Sequence, residues 1–351
     1  MNINLFLYGS IIPFIPFSPF SPFHIMSHRP PLCIFFSNFW TGFIEKTDSM
    51  NCTFFITLLE KVFKSPIHIS SSPDDATILV ESIFGDQSYI YHKKWRSTFL
   101  FTGETHYCNH QHVSAFDCVL GFEATDNKHY VQCPLYLLYL QSNPSILEKL
   151  RDGSHNTNPV SHPVSHPPPP SCATVVISNT NHGMERVRFV QRLEEKMTVF
   201  YGGKYKNNVG GVVGGHYNSQ EINDFYKRGK FAITMENSIG PYYITEKLVN
   251  GLCSGVVPVY WGTERVSEFF NPRRFLQLKS GATDEDITEM IERMLTMSDD
   301  EYMNMIREPI MIRSMEDVIT EVSESVKKIV IPPHLPPVDF HVIMVPLPSG
   351  S

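Results

Sequence analysis

Seven short apolar runs recur along the chain: 76–82 (ATILVES), 97–103 (STFLFTG), 118–122 (CVLGF), 173–179 (ATVVISN), 197–203 (MTVFYGG), 230–237 (KFAITMEN) and 256–262 (VVPVYWG). Several end in Gly, Asn or Ser. Segments with helical spacing fall between the later ones, at 184–197, 219–229, 245–255 and 284–295. Short apolar strands alternating with helices predict βαβ units and parallel sheets. Phe99, Phe101, Tyr260 and Trp261 lie inside such runs and are expected in the core.

The pattern breaks in three places. Residues 5–23 are largely apolar but carry Pro13, Pro16, Pro19 and Pro22. Proline at that spacing removes helical hydrogen bonds repeatedly, which makes a poor membrane-spanning helix. Residues 1–31 are therefore read as a disordered or leader segment, with a degenerate signal anchor as the alternative. Residues 143–172 contain a repeated PVSH and four consecutive prolines, and read as an exposed linker. Its His155, His162 and His166 are taken as part of that linker rather than as metal ligands. The tail 331–351 is again proline-rich. Two folded stretches remain, 32–142 and 173–330, and they predict an α/β protein with two Rossmann-like domains facing a cleft.

Bulk composition changes this picture little. The 351 residues are 42% hydrophobic and 19% charged, as expected of about two globular domains. The net charge of −7 lacks the basic excess of a nucleic-acid binder. Seven cysteines are spread with no CxxC pair, so a structural zinc site is not expected and most should be buried small apolar residues. The triplet at Asn51 is a glycosylation sequon, a pattern common by chance.

Polar residues collect where strands end. Glu104 follows 97–103, Asn179 ends 173–179 and leads to Arg186, and Glu236 and Asn237 end 230–237. Ligands of open α/β sheets bind at such carboxyl ends. Thr245 suits a helix N-cap, with Glu246 and Lys247 in the first turn. Glu246 there either compensates the helix dipole or meets a ligand. Lys247 opposes the dipole, a mismatch that a bound anion such as phosphate would relieve. The glycine-rich stretch 201–215 lacks phosphate-loop spacing and reads as a flexible loop. The Asp-x-Asp at 284–286 reads as an acidic helix start.

The segment FAITMENSIGPYYITEKLVNGLCSGVVPVYWG, 231–262, resembles the hallmark of the family 10 α-1,3/4-fucosyltransferases, F-x-x-x-F-E-N-S followed by D/G-Y-x-T-E-K and G-x-x-P-V-x-x-G. Residues 263–278 are similar to its short, bacterial-type branch. Likeness extends through VVISNTNHGMERVRFVQRL and, in the first domain, through 99–140 with its Thr-Gly-Glu turn, covering roughly 72–315. The resemblance implies a GT-B fold whose C-terminal domain (173–330) holds GDP-fucose and whose N-terminal domain (32–142) faces the acceptor. It implies Glu104 as catalytic base, Arg186 and Lys247 on the diphosphate, Glu246 on the ribose hydroxyls, and Asn237 and Tyr243 beside the nucleotide. Met235 departs from the usual aromatic before Glu-Asn, and an animal-type membrane anchor is missing.

The implied reaction is inverting transfer of L-fucose from GDP-fucose to an N-acetylglucosamine-containing glycan. Glu104 would act as base, with its pKa raised by burial in a closed cleft. Cations and a helix terminus would stabilise the leaving diphosphate, so no cofactor or divalent metal is expected to be essential. The partners implied are GDP-fucose and an oligosaccharide or glycoconjugate, without nucleic acid. The compartment would be the Golgi or secretory pathway in a eukaryote and the cytoplasm otherwise. The rival readings are a GT-B transferase using another nucleotide sugar, and a non-catalytic nucleotide- or glycan-binding relative.

Overall fold

The computed structural model describes residues 32–48, 50–104, 113–123, 125–143, 146, 150, 171–214 and 219–331. The leader, most of the linker and the proline-rich tail lie outside the described residues. Two parallel sheets organise the rest. The first joins β1 (Leu32–Ser37), β2 (Ile67–Ile69), β3 (Ile78–Ser82), β4 (Ser97–Phe101), β5 (Cys118–Gly121) and β6 (Tyr130–Gln132) in the order β2-β1-β3-β4-β5-β6. The second joins β7 (Cys172–Val175), β8 (Thr198–Tyr201), β9 (Phe231–Ile233), β10 (Val257–Trp261) and β11 (Leu276–Leu278) in the order β11-β10-β9-β7-β8. Register is set by apolar pairs such as Ile34 with Ile78 and Val80 with Phe99. Strands β3, β4, β7, β9 and β10 are buried at every position. Sheets covered on both faces read as continuous apolar runs, which is why these strands stand out in the sequence. Phe99, Phe101, Tyr260 and Trp261 are all core residues.

Helices α1 (Thr53–Phe63) and α2 (Tyr136–Gln141) belong to the first half. Helices α3 (Met184–Glu194), α4 (Gln220–Tyr226), α5 (Glu246–Cys253), α6 (Asp284–Thr296), α7 (Asp299–Arg307) and α8 (Met315–Val330) follow. The acidic 284–286 opens α6: Thr283 and Asp286 form a reciprocal capping box, and Asp284 pairs with Arg188. Helix α8 ends the chain order of the second half but packs on the first sheet's layer. Its Met315, Val318, Ile319, Val322 and Val326 join one cluster with Phe54, Leu58 and Val62 of α1, and Lys61 pairs with Glu316. The same cluster takes in Tyr243, Leu248, Val249, Phe269 and Phe270, so the two halves share buried apolar surface.

Two local expectations meet the structure directly. Asn51 is 4% exposed, and its side chain is committed. Its amide donates to the Asp48 carbonyl at 3.1 Å, and its Oδ1 accepts the Thr53 N–H at 3.1 Å and hydroxyl at 2.6 Å. The sequon is thus a buried turn that presents no amide to a glycan-transferring enzyme. The six described cysteines are all free, and Cys52, Cys118, Cys133 and Cys172 are buried. Among the described residues no helix is long and apolar enough to cross a membrane.

Candidate active site

Strand order reverses between β1 and β3 in the first sheet and between β7 and β9 in the second. Crevices beyond the carboxyl ends at such points are where open α/β sheets bind ligands. A cavity of about 700 Å³ lies there. The loop after β1 supplies one wall, with Trp40, Thr41, Asp48 and Met50. The other wall carries Val176 and Ser178 beyond β7, Val212 and Val213 of the glycine-rich stretch, and Ile222 and Tyr226 of α4. Glu246, Lys247 and Asn250 of α5 complete it.

The connection from β9 to α5 builds the charged part. Pairing with β10 continues past the strand, where the Glu236 N–H donates to the Trp261 carbonyl at 2.8 Å. This holds the fully buried Glu236 carboxylate against the start of α5. It accepts the Thr245 N–H at 2.8 Å and the Thr245 hydroxyl at 2.7 Å. Thr245 is the N-cap, as its position predicts. The Lys247 ammonium donates to Thr245 Oγ1 and Glu246 Oε1, both at 3.1 Å, and lies 3.5 Å from Glu236 Oε2. The cation that opposes the helix dipole therefore already has two carboxylate partners. The sequence argument, which called for an external anion, did not see Glu236 as the counter-charge.

Burial opposes both charges. It works against the Lys247 ammonium, but Glu246 and Glu236 outweigh it and hold that pKa above its usual value. Burial pushes Glu236 up to about 7, against the pull of Lys247 and the Thr245 hydrogen bonds. The folded protein thus holds the Glu236 proton more tightly than the unfolded chain, whose carboxyl titrates near 4.5. This group's contribution is fully present below about 4.5 and is lost as pH rises through about 7. Glu236→Gln is expected to flatten the fall in unfolding free energy across that window, as read by denaturant titrations at a series of pH values. An unchanged slope would show that Glu236 is ionised throughout.

Arg186, Asn237 and Tyr243 are brought together beside this network but form no part of the cavity wall. Arg186, 3% exposed, donates to Asn237 Oδ1 and to the carbonyls of Asn179 and His182. Its buried Nε has no partner among the described residues. Burial lowers its pKa, opposed by Glu236, Tyr243 and Glu246. Gly183, left-handed at φ +70°, caps α3. A Cβ there would come within 3.2 Å of Arg186 Nε and 3.0 Å of the Asn237 carbonyl. Tyr243 is buried against Phe122, ring centroids 5.0 Å apart. Burial raises its pKa, and Glu104 is near enough to add to that shift.

Glu104 stands in the turn after β4, where its N–H donates to the Thr102 carbonyl. It is exposed and outside the cavity wall, so the burial expected to raise its pKa is not provided by the protein in this state. The six predicted residues thus fall into two on the wall (Glu246, Lys247), three behind it (Arg186, Asn237, Tyr243) and one on the facing domain (Glu104). Sequence reasoning missed Glu236 as a member of the network, although a carboxylate closing an apolar run was visible. It also missed Trp40 and Asp48, which follow a strand whose end was not assigned. Among the described residues no group of three His, Cys, Asp or Glu is placed to hold a metal ion.

Known proteins are similar to this chain. Residues 169–311 match the model of the glycosyltransferase family 10 (fucosyltransferase) C-terminal domain. The chain is 27% identical over 302 residues to an α-(1,3)-fucosyltransferase of Helicobacter pylori, covering 80% of this chain and 60% of that one. A putative fucosyltransferase of Acanthamoeba polyphaga mimivirus is 33% identical over 96 residues, 27% of this chain and 16% of that one. The chain thus spans about 60% of the length of the first relative and far less of the second. A crystal structure of an α1,3-fucosyltransferase superposes with a TM-score of 0.63 at 21% identity, over 87% of this chain and 91% of that one. Another, solved with GDP-fucose, gives 0.57 at 19% identity, over 91% and 94%. The fold is GT-B, and residues 169–311 of the chain match the C-terminal domain of glycosyltransferase family 10, the fucosyltransferase family.

Proposed function

We propose that this chain is an inverting α-1,3/4-fucosyltransferase that moves L-fucose from GDP-fucose to a hydroxyl of an N-acetylglucosamine-containing glycan. The observation that carries the reading is Lys247, held at the N-terminus of α5 on the wall of a cavity lined from both sheets. A helix N-terminus with a fixed ammonium suits a diphosphate. The similar fold solved with GDP-fucose, described above, supports the choice of donor. In this reading Lys247 and the helix terminus meet the diphosphate, joined by the unpartnered Nε of Arg186. Glu246 takes the ribose hydroxyls, and Asn237 and Tyr243 flank the nucleotide. The acceptor oxygen bonds to C1 of fucose as Glu104 takes its proton. The C1–O bond to the diphosphate breaks, and its electron pair leaves with GDP, inverting the anomeric carbon. Charge growing on the diphosphate is met by positioned cations, so the reading requires no divalent metal.

The test is product formation with GDP-fucose on a glycan array, with linkage analysis, in parallel with GDP-mannose and UDP-sugars and with chelator present. Fucose in α-1,3 or α-1,4 linkage, unaffected by chelator, is expected. Transfer from a different sugar nucleotide alone would assign another donor, and GDP binding without transfer to any acceptor would mark a non-catalytic relative.

A further inference from the structure

Phe84 stands out on the first domain. It is 46% exposed, in the loop beyond the carboxyl end of β3, yet its position is fixed. Its N–H donates to Ser82 Oγ at 3.3 Å, and Trp40 meets its ring edge-on at 5.6 Å between centroids. Trp40 is itself pinned by an indole N–H bond to the Met50 carbonyl at 3.0 Å and packs on Phe43 at 5.1 Å. Trp40 lines the cavity that holds Lys247. On its other side Phe84 reaches Gly103, where a Cβ would lie 3.3 Å from Phe84 Cε2. Gly103 immediately precedes Glu104. A rigid aromatic strip thus runs from the cavity mouth to the turn carrying Glu104.

We propose that Phe84, with Trp40 beside it, is the platform on which a pyranose ring of the acceptor glycan stacks. The apolar face of a pyranose, with its axial C–H bonds, matches a fixed aromatic ring, and its hydroxyls project from the edge. Trp40 of the cavity wall and Phe84 beside it form a held pair of aromatic rings, the kind of lining that ligand sites use. A ring resting on Phe84 places its edge hydroxyls toward Glu104 on one side and the cavity on the other. The stacked sugar would also supply the burial that exposed Glu104 lacks. The choice of an acceptor sugar as occupant rests on the reading of Glu104 as base. Gly103 has a part in this: a Cβ there would strike Phe101 at 2.8 Å and crowd Phe84 at 3.3 Å, so the close packing of the strip needs glycine.

N-acetyllactosamine binding, followed by saturation-transfer NMR and tryptophan fluorescence on the full chain with GDP present, tests the platform without depending on turnover. Wild type is expected to show saturation of one pyranose face. Phe84→Ala should weaken N-acetyllactosamine about tenfold or more, as loss of an anchoring aromatic does at interfaces. Phe84→Tyr should restore it, and the Kd for GDP should stay the same in both, which also reports that the variants fold. Equal sugar affinity in Phe84→Ala, or no sugar binding by wild type, overturns the platform. Phe84-dependent binding without fucose transfer would leave the platform standing and remove the transferase reading instead.

Discussion

Glu104→Gln is expected to cut fucose transfer by roughly 10²–10⁴-fold while leaving the Kd for GDP unchanged, the loss usual for a general base. The separation of the two readouts follows from where Glu104 sits. It is exposed in the turn after β4, outside the wall of the cavity that holds Lys247. Its backbone N–H fastens the turn to the Thr102 carbonyl. Glutamine keeps the size and the turn but cannot accept a full proton. Transfer and GDP affinity are measured on the same preparation. Full transfer by Glu104→Gln would remove the base assignment, and loss of GDP binding would place Glu104 in the donor site instead.

Lys247→Ala should be the more damaging change, because it acts on fold and chemistry together. Lys247 is 17% exposed in its side chain, and Glu236, against it, is fully buried. Removing one partner of a buried pair costs about 3–5 kcal/mol when the other charge is stranded. Glu236, already poised at about 7, takes up a proton instead, so the lower end of that range is expected. The ammonium's effect on the leaving diphosphate is lost as well, about 10²–10³-fold in turnover on the scale of a preorganised charge-stabilising group. Lys247→Met combined with Glu236→Gln separates the two effects. Removing both charges should restore much of the stability, by denaturant unfolding, without restoring transfer. If the double variant regained activity, Lys247 would be a structural cation only.

The fold was legible where burial is two-sided. Strands such as β4 and β10 are buried at every position, and their apolar runs announced both sheets. Three-residue β2, β6 and β11 carry too little pattern to be separated from loops. Helix α8 was not singled out in the sequence, and its amphipathic stripe does not say which sheet it covers. At the site, the N-cap Thr245 and the first-turn Lys247 followed from local rules. The Lys247–Glu236 pairing did not, because it depends on β9 and α5 meeting across a nine-residue excursion. Likewise Phe84 reads in sequence as one more aromatic; only the packing of Trp40 and Gly103 around it gives it a place.

The position of α8 bears on how the two sheets are joined. The chain crosses from the first sheet to the second between 143 and 171, and returns between 308 and 315. Both crossings meet the first layer at one spot, where the Gln141 amide lies 3.9 Å from Met315 Sδ. Beside it, Tyr136 is wedged between Phe269 and Phe270 at 5.5 and 5.1 Å. Two chain crossings and one aromatic contact thus tie the two layers together at a single place.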